Sequence, residues 1–253
     1  MKTVVILTMP RSGSSLLAGI LHHLGVWMGE EKDLKSGKHL NKYGCFENRS
    51  FISMNENLLF QCKLLIDQSR RVYDHQEMMK RAVKKYELWI KKIIRDNERS
   101  LWGFKNPNII YSLPYFHHLL RNPYYIRLNR SVNSIANSFQ KTANPQNWWP
   151  LVRDEFSYFS FHHRLLLVSR FIKLLLSQGN FSTQQVQEKI INNGYKRIDH
   201  FLKDKRHLSL HLNHLLNDPY SNIQKIINFL KISPSPSQIQ NSLNFINPNL
   251  ISS

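Results

Sequence analysis

The chain has 253 residues, 42% hydrophobic and 11% aromatic, enough for a substantial core and for one large domain over 1–253. Its formal charge of +18 calls for anionic partners: a nucleotide, an acidic saccharide, nucleic acid or a membrane surface. Cys45 and Cys62 make neither a zinc pattern nor a disulfide framework, and no run reaches the ~18 apolar residues of a membrane span, which sets the expectation of a soluble, cytoplasmic protein.

Val4-Val5-Ile6-Leu7 opens the chain as a buried parallel strand, which Pro10 ends. Gly13 frees the backbone of the hydroxyl-rich turn Arg11-Ser12-Gly13-Ser14-Ser15, and Leu16, Leu17, Ile20, Leu21 and Leu24 then repeat at helical spacing. Strand, short turn and helix make a phosphate cradle, since the first N–H groups of the helix point into the turn and the dipole adds about half a positive charge. Ser12, Ser14 and Ser15 add hydroxyls, and Arg11 a planar cationic fork. Against the Walker pattern, Gly13 and Ser15 fit, but Thr8 stands where the first glycine belongs and Ser14 replaces the lysine.

Gly25 to Tyr43 reads as a loop, followed by Gly44-Cys45-Phe46-Glu47-Asn48 and a Leu-rich segment from Met54 to Leu65. Asp74 to Arg99 is a long helical pattern, opened by Asp74 with Glu77 as a capping box; its stripe runs from Met79 to Ile94, with lysines and arginines around it. That basic face reads as a solvated surface or as a track for phosphates or an acidic polymer. Leu101 to Lys105 is a short strand stopped by Pro107, and Pro123 to Arg130 a second strand ending in an arginine. Between them lies a helix or turn region from Tyr111 to Leu120. A helix follows Arg130, then a tryptophan-bearing loop from Thr142 to Pro150 and a strong helical pattern from Asp154 to Leu176. Another helix runs from Thr183 to about Asp204, His207 to Leu212 is the last strand, and Ile223 to Leu230 a further helix opened by Asn217-Asp218-Pro219. Ser233 to Ser237 reads as a turn before the tail.

The loop resembles the 5′-phosphosulfate loop of the sulfotransferases that use 3′-phosphoadenosine 5′-phosphosulfate (PAPS), whose bacterial and Golgi-type members carry Pro-Arg-Ser-Gly-Thr/Ser-Ser/Thr-Leu. Further stretches resemble the same family in order: Leu24 to Gly29; Gly44, Phe46 and Glu47; Asn55-Glu56; Gly103-Phe104-Lys105-Asn106-Pro107; Arg130 with Ser138; and Phe245-Ile246-Asn247-Pro248-Asn249-Leu250. Cys45 replaces the common Tyr, and Ser131-Val132 the common Asp-Pro.

The resemblance implies an α/β fold, a three-layer α/β/α sandwich around a central parallel sheet with a P-loop. It implies PAPS as co-substrate with no metal, and a small-molecule or saccharide hydroxyl as acceptor, with nucleic acid an unlikely partner. Arg11, Ser12, Gly13, Ser14 and Ser15 then hold the 5′ end of the nucleotide, and Arg130 with Ser138 its 3′-phosphate. Arg11 and Ser14 hold the leaving phosphate, Lys105 reaches the sulfuryl oxygens or the acceptor, and Glu47 is the first choice of base. Glu30 or Glu31 stands next, with His117 or His118 as another option. Trp148, Trp149, Phe156, Tyr158 and Phe159 are candidates for an acceptor platform. Two other readings stay open: a P-loop nucleotide or metabolite kinase, which needs a loop lysine and a magnesium-holding aspartate, and a basic nucleic-acid-binding protein, which leaves the loop unexplained.

Overall fold

Val4, Val5, Ile6 and Leu7 are fully buried because β1 (Lys2–Leu7) lies between two neighbouring strands and is covered on both faces. The structure is a computed structural model that describes residues 1–35, 44–62, 75–142 and 184–246. Its four strands are β1, β2 (Leu101–Lys105), β3 (Pro123–Asn129) and β4 (His207–His211), all parallel, in the order β2-β1-β3-β4. Ile6 stands opposite Lys105 in β2 and Ile126 in β3, so the three strands end at nearly the same level.

Successive side chains of β1 point to opposite faces, which sorts the core into two halves. Val5 and Leu7 join Trp102, Phe104 and Tyr125 beneath α2 (Arg49–Gln61), α3 (Gln76–Lys85), α4 (Glu87–Asn97), α5 (Leu113–Phe116) and α7 (Gln184–Leu202). Val4 and Ile6 join Tyr124, Ile126 and Leu128 beneath α1 (Ser14–His23), α8 (Leu212–Asn217), α9 (Pro219–Leu230) and α10 (Pro236–Phe245). The helix after β3 is α6 (Val132–Thr142). A three-layer α/β/α sandwich around a parallel sheet results, as the resemblance implies.

Two expectations need correction. The pattern from Asp74 to Arg99 is not one helix: α3 ends at Lys85 and α4 begins at Glu87, with Tyr86 between them at φ −104°, ψ 13°. Neither proline nor glycine marks the break; Tyr86 and Trp89 pack together there, with ring centroids 6.0 Å apart. The second concerns the Ser-Pro stretch, which starts a helix instead of forming only a turn. Ser235 caps α10 and Gln238 returns the bond to the cap backbone, a reciprocal box legible as Ser-x-x-Gln. Asp74, the helical pattern from Asp154 to Leu176, the aromatic acceptor platform and Asn247 to Leu250 lie outside the described residues.

Sheet order places the site. The chain steps from β1 to β2 on one side, then to β3 and β4 on the other, so the crevice at the carboxyl ends of β1 and β3 is the switch point where open α/β sheets bind ligands. The turn after β1 and Arg130, directly after β3, both lie there.

Candidate active site

The turn between β1 and α1 is shaped from within. Arg11 and Gly13 both adopt left-handed conformations, at φ 65° and 86°. For Gly13 a side chain is excluded twice over, since a Cβ there would also lie 2.7 Å from Leu212 Cδ1. Ser12 is fully buried; its hydroxyl donates to the Met9 carbonyl at 2.6 Å and meets that of Thr8, which donates to the Leu128 carbonyl at 2.8 Å. The Ser12 and Thr8 hydroxyls therefore brace the loop and tie it to β3. The backbone bends back over Gly13, whose carbonyl accepts from Leu16 N at 3.0 Å, leaving the first N–H groups of α1 without partners inside the helix.

Arg11, Arg130 and Ser138 meet. Arg130 Nη1 donates to the Arg11 carbonyl at 2.8 Å, and Arg11 Nε donates to Ser138 Oγ at 3.1 Å. Ser138 is reached from the loop, because the left-handed backbone at Arg11 turns its side chain toward α6. Burial lowers the pKa of both guanidinium groups, and for Arg130 the nearby Arg11 adds to the effect. Two cations at the carboxyl end of a parallel sheet are the kind of arrangement that can take an anion.

Tyr195 of α7, which sequence reasoning missed, holds this arrangement. Its hydroxyl accepts from Arg130 N at 3.1 Å, and burial pushes its pKa up. Next to it, Gly194 packs so closely on Met9 that a side chain has no room, which seats α7 on the loop. No local signal in the helix pattern marks either contact; Tyr195 and Arg130 are 65 positions apart.

Lys105, Glu47 and Ser15 make a second cluster at the same turn. Lys105 is 1% exposed; its Nζ donates to Glu47 Oε1 at 2.6 Å and to Ser15 Oγ at 3.3 Å. Ser15 Oγ donates in turn to the Cys45 carbonyl at 3.4 Å. Burial pushes the Cys45 thiol up and Glu47 adds to it, while Lys105, Lys35 and Arg11 pull the other way. The loop bearing Glu47 follows two left-handed residues, Gly44 and Phe46, and Lys35 N donates to the Glu47 carbonyl at 2.8 Å. Asn48 then fixes it from the far side, capping α2 through Ser50 N and donating to Asn97 Oδ1 at 2.8 Å in the buried end of α4.

The other candidates are placed elsewhere. Glu30 pairs with Lys32 at 2.8 Å on the surface, and Glu31 is exposed; among the described residues no hydrogen bond or ion pair joins either to the loop. His117 packs against Phe201 just before the start of β3, at the opposite end of that strand from Arg130; burial, then Lys205, lowers its pKa. His118 is its neighbour there. Among the described residues no group of three or more His, Cys, Asp or Glu side chains converges on a point where a metal might be held.

No protein-family model and no curated protein sequence matches the chain. Among solved structures it is similar to the sulfotransferase domain from the curacin biosynthetic pathway, at 19% identity and TM-score 0.50, over 94% of this chain and 76% of that one. It is also similar to the sulfotransferase domain from the Synechococcus PCC 7002 olefin synthase (14% identity, 98% and 82% covered, TM-score 0.47) and to sulfotransferase STF9 from Mycobacterium avium (12%, 96% and 67%, TM-score 0.47). The chain has a sulfotransferase-like fold.

Proposed function

We propose that this chain is a sulfotransferase, moving a sulfuryl group from PAPS to a hydroxyl on a carbohydrate, lipid head group or small metabolite. The observation that carries the reading is the meeting of a half-buried arginine, Arg11, and a buried one, Arg130, with Ser138 at the switch point between β1 and β3. PAPS differs from ATP by a 3′-phosphate, and both its phosphate-bearing ends hang from one ribose, so a cation lying between them serves each. Arg130 and Ser138 take the 3′-phosphate; the turn from Arg11 to Ser15, through its backbone, Ser14 and the end of α1, takes the 5′ end. Two buried cysteines without a disulfide fit a reducing compartment.

In the transfer, the acceptor oxygen attacks sulfur as Glu47 removes its proton. The bond from sulfur to the oxygen of the 5′-phosphate breaks, and its electron pair stays on that oxygen, leaving 3′-phosphoadenosine 5′-phosphate. Lys105, held by Glu47 and Ser15, and Arg11 are the cations available to the sulfuryl and leaving oxygens. Donors fixed in this way contribute about 3–4 kcal/mol each in comparable sites, and a positioned base roughly 10²–10⁴-fold. One carboxylate oxygen of Glu47 is engaged by Lys105, and a carboxylate has about four acceptor positions, so the pairing is compatible with base chemistry.

Labelled PAPS and a panel of acceptor hydroxyls test this directly. Wild-type chain is expected to transfer label to at least one class, and Glu47→Gln to lose transfer by about a hundredfold or more while still binding the nucleotide. Transfer at the wild-type rate by Glu47→Gln removes Glu47 as base; no transfer to any acceptor together with no nucleotide binding removes the activity.

A further inference from the structure

We propose that the outer face of α3 and α4 is a docking surface for an anionic lipid bilayer. Arg81, Lys84 and Lys85 at the end of α3 and Leu88, Lys91, Lys92 and Arg95 on α4 are all exposed, on either side of the break at Tyr86. Three of these cations lie in the last turns of α3 and three on α4. Between the two groups in the chain stands Leu88, 84% exposed and the most exposed of the large hydrophobic residues described.

The mixture chooses the partner. A soluble polyanion uses the cations and leaves Leu88 in water, whereas a bilayer takes up both, the cations at the charged surface and the leucine among the upper acyl chains. Lys91 pairs with Glu87 at 2.6 Å and Lys92 with Asp96 at 2.5 Å, but these are exposed pairs between successive helical turns, weak enough to yield to a dense anionic surface. Six exposed cations within fifteen residues, three on each of two successive helices, match the number that reads as binding to acidic lipids. No helix among the described residues is long and apolar enough to cross a membrane; the attachment proposed for this face is a peripheral one. The inference does not rest on sulfuryl transfer, and the face lies outside the proposed active site.

Flotation of the full chain with phosphatidylcholine vesicles containing roughly one-third phosphatidylserine, at about 0.15 M salt, tests it. Binding is expected with these vesicles and not with pure phosphatidylcholine. Lys84→Gln with Lys91→Gln should weaken it at least tenfold, from roughly fivefold per cation. Leu88→Ser should weaken it about tenfold with no change in charge. Lys203→Gln with Lys231→Gln, an equal loss of charge elsewhere, should leave it within about twofold. All these positions are exposed or at the surface, and circular dichroism checks that each variant folds. Failure to bind the acidic vesicles, an equal effect of the distant pair, or binding unaffected by Leu88→Ser overturns the proposal; the last, with heparin bound through the same lysines, assigns the face to a soluble polyanion.

Discussion

Arg130 reaches across the end of the sheet to Arg11 and donates to its backbone carbonyl at 2.8 Å, although the two residues are 119 positions apart. Two guanidinium groups are thereby held close together in a buried site where burial lowers both pKa values. A dianion placed between them would offset the repulsion of the two cations. Arg130→Met should therefore leave the stability of the unliganded chain within about 1 kcal/mol, the lost hydrogen bond being offset by the lost repulsion. The rise in melting temperature on adding 3′-phosphoadenosine 5′-phosphate should disappear. Thermal melts with and without nucleotide check this; an undiminished rise in the variant removes Arg130 from the binding site.

Lys105 and Glu47 stand or fall together. Breaking a buried pair by removing one partner costs about 3 kcal/mol or more, because the other charge is left uncompensated. Lys105→Met alone should destabilise the chain by that order, and the double variant Lys105→Met with Glu47→Gln should recover much of it. Both should lack transferase activity. Denaturant titrations of the two single variants and the double variant measure the coupling, and additive effects would show that the contact at 2.6 Å contributes little.

Tyr195→Phe removes only the hydroxyl that accepts from Arg130 N. A buried N–H left without its partner costs about 1–3 kcal/mol, and the loosened end of β3 should weaken nucleotide binding by about tenfold. With saturating nucleotide, kcat should change less than KM. A change confined to kcat would place Tyr195 in the chemistry instead of in the support of Arg130.

Gly13→Ala meets two obstacles, the left-handed backbone at φ 86° and Leu212 Cδ1 at 2.7 Å. A loss of about 1–3 kcal/mol is expected from strain and overpacking together. Leu212 is itself buried in the core, so the steric part is read by adding Gly13→Ala to Leu212→Ala, where only the backbone part of the loss should remain. No loss on that background would mean that the backbone at Gly13 tolerates a side chain.

Local sequence carried the scaffold of this site. The run Val4 to Leu7, the Pro10 stop and the leucine spacing after Ser14 locate the loop, and the strand ending before Arg130 locates the second cation. What joins them is not local. The pairing of Arg11 Nε with Ser138 depends on a left-handed φ in a residue that is not glycine, which residue type does not announce. Sequence reading assigned Ser138 to Arg130 alone; the structure brings Arg11 to it. Lys105 was placed at a strand end and Glu47 in a loop, but their contact spans 58 positions and is set by the register of β2 against β1 and by the anchoring of Asn48 to Asn97. Tyr195 looks like any aromatic on a helix until α7 is packed against Met9. The start of α10 was misread as a turn: Ser235 and Gln238 carry a capping signal, but the flanking prolines drew the reading to a turn.

Isothermal titration of the wild-type chain with 3′-phosphoadenosine 5′-phosphate and with ADP bears most directly on the account. If Arg130 and Ser138 read a phosphate on the 3′ position, the first nucleotide should bind at least tenfold more tightly, charge-assisted hydrogen bonds of this kind contributing about 1.5–3 kcal/mol. Equal affinities for the two nucleotides would contradict it.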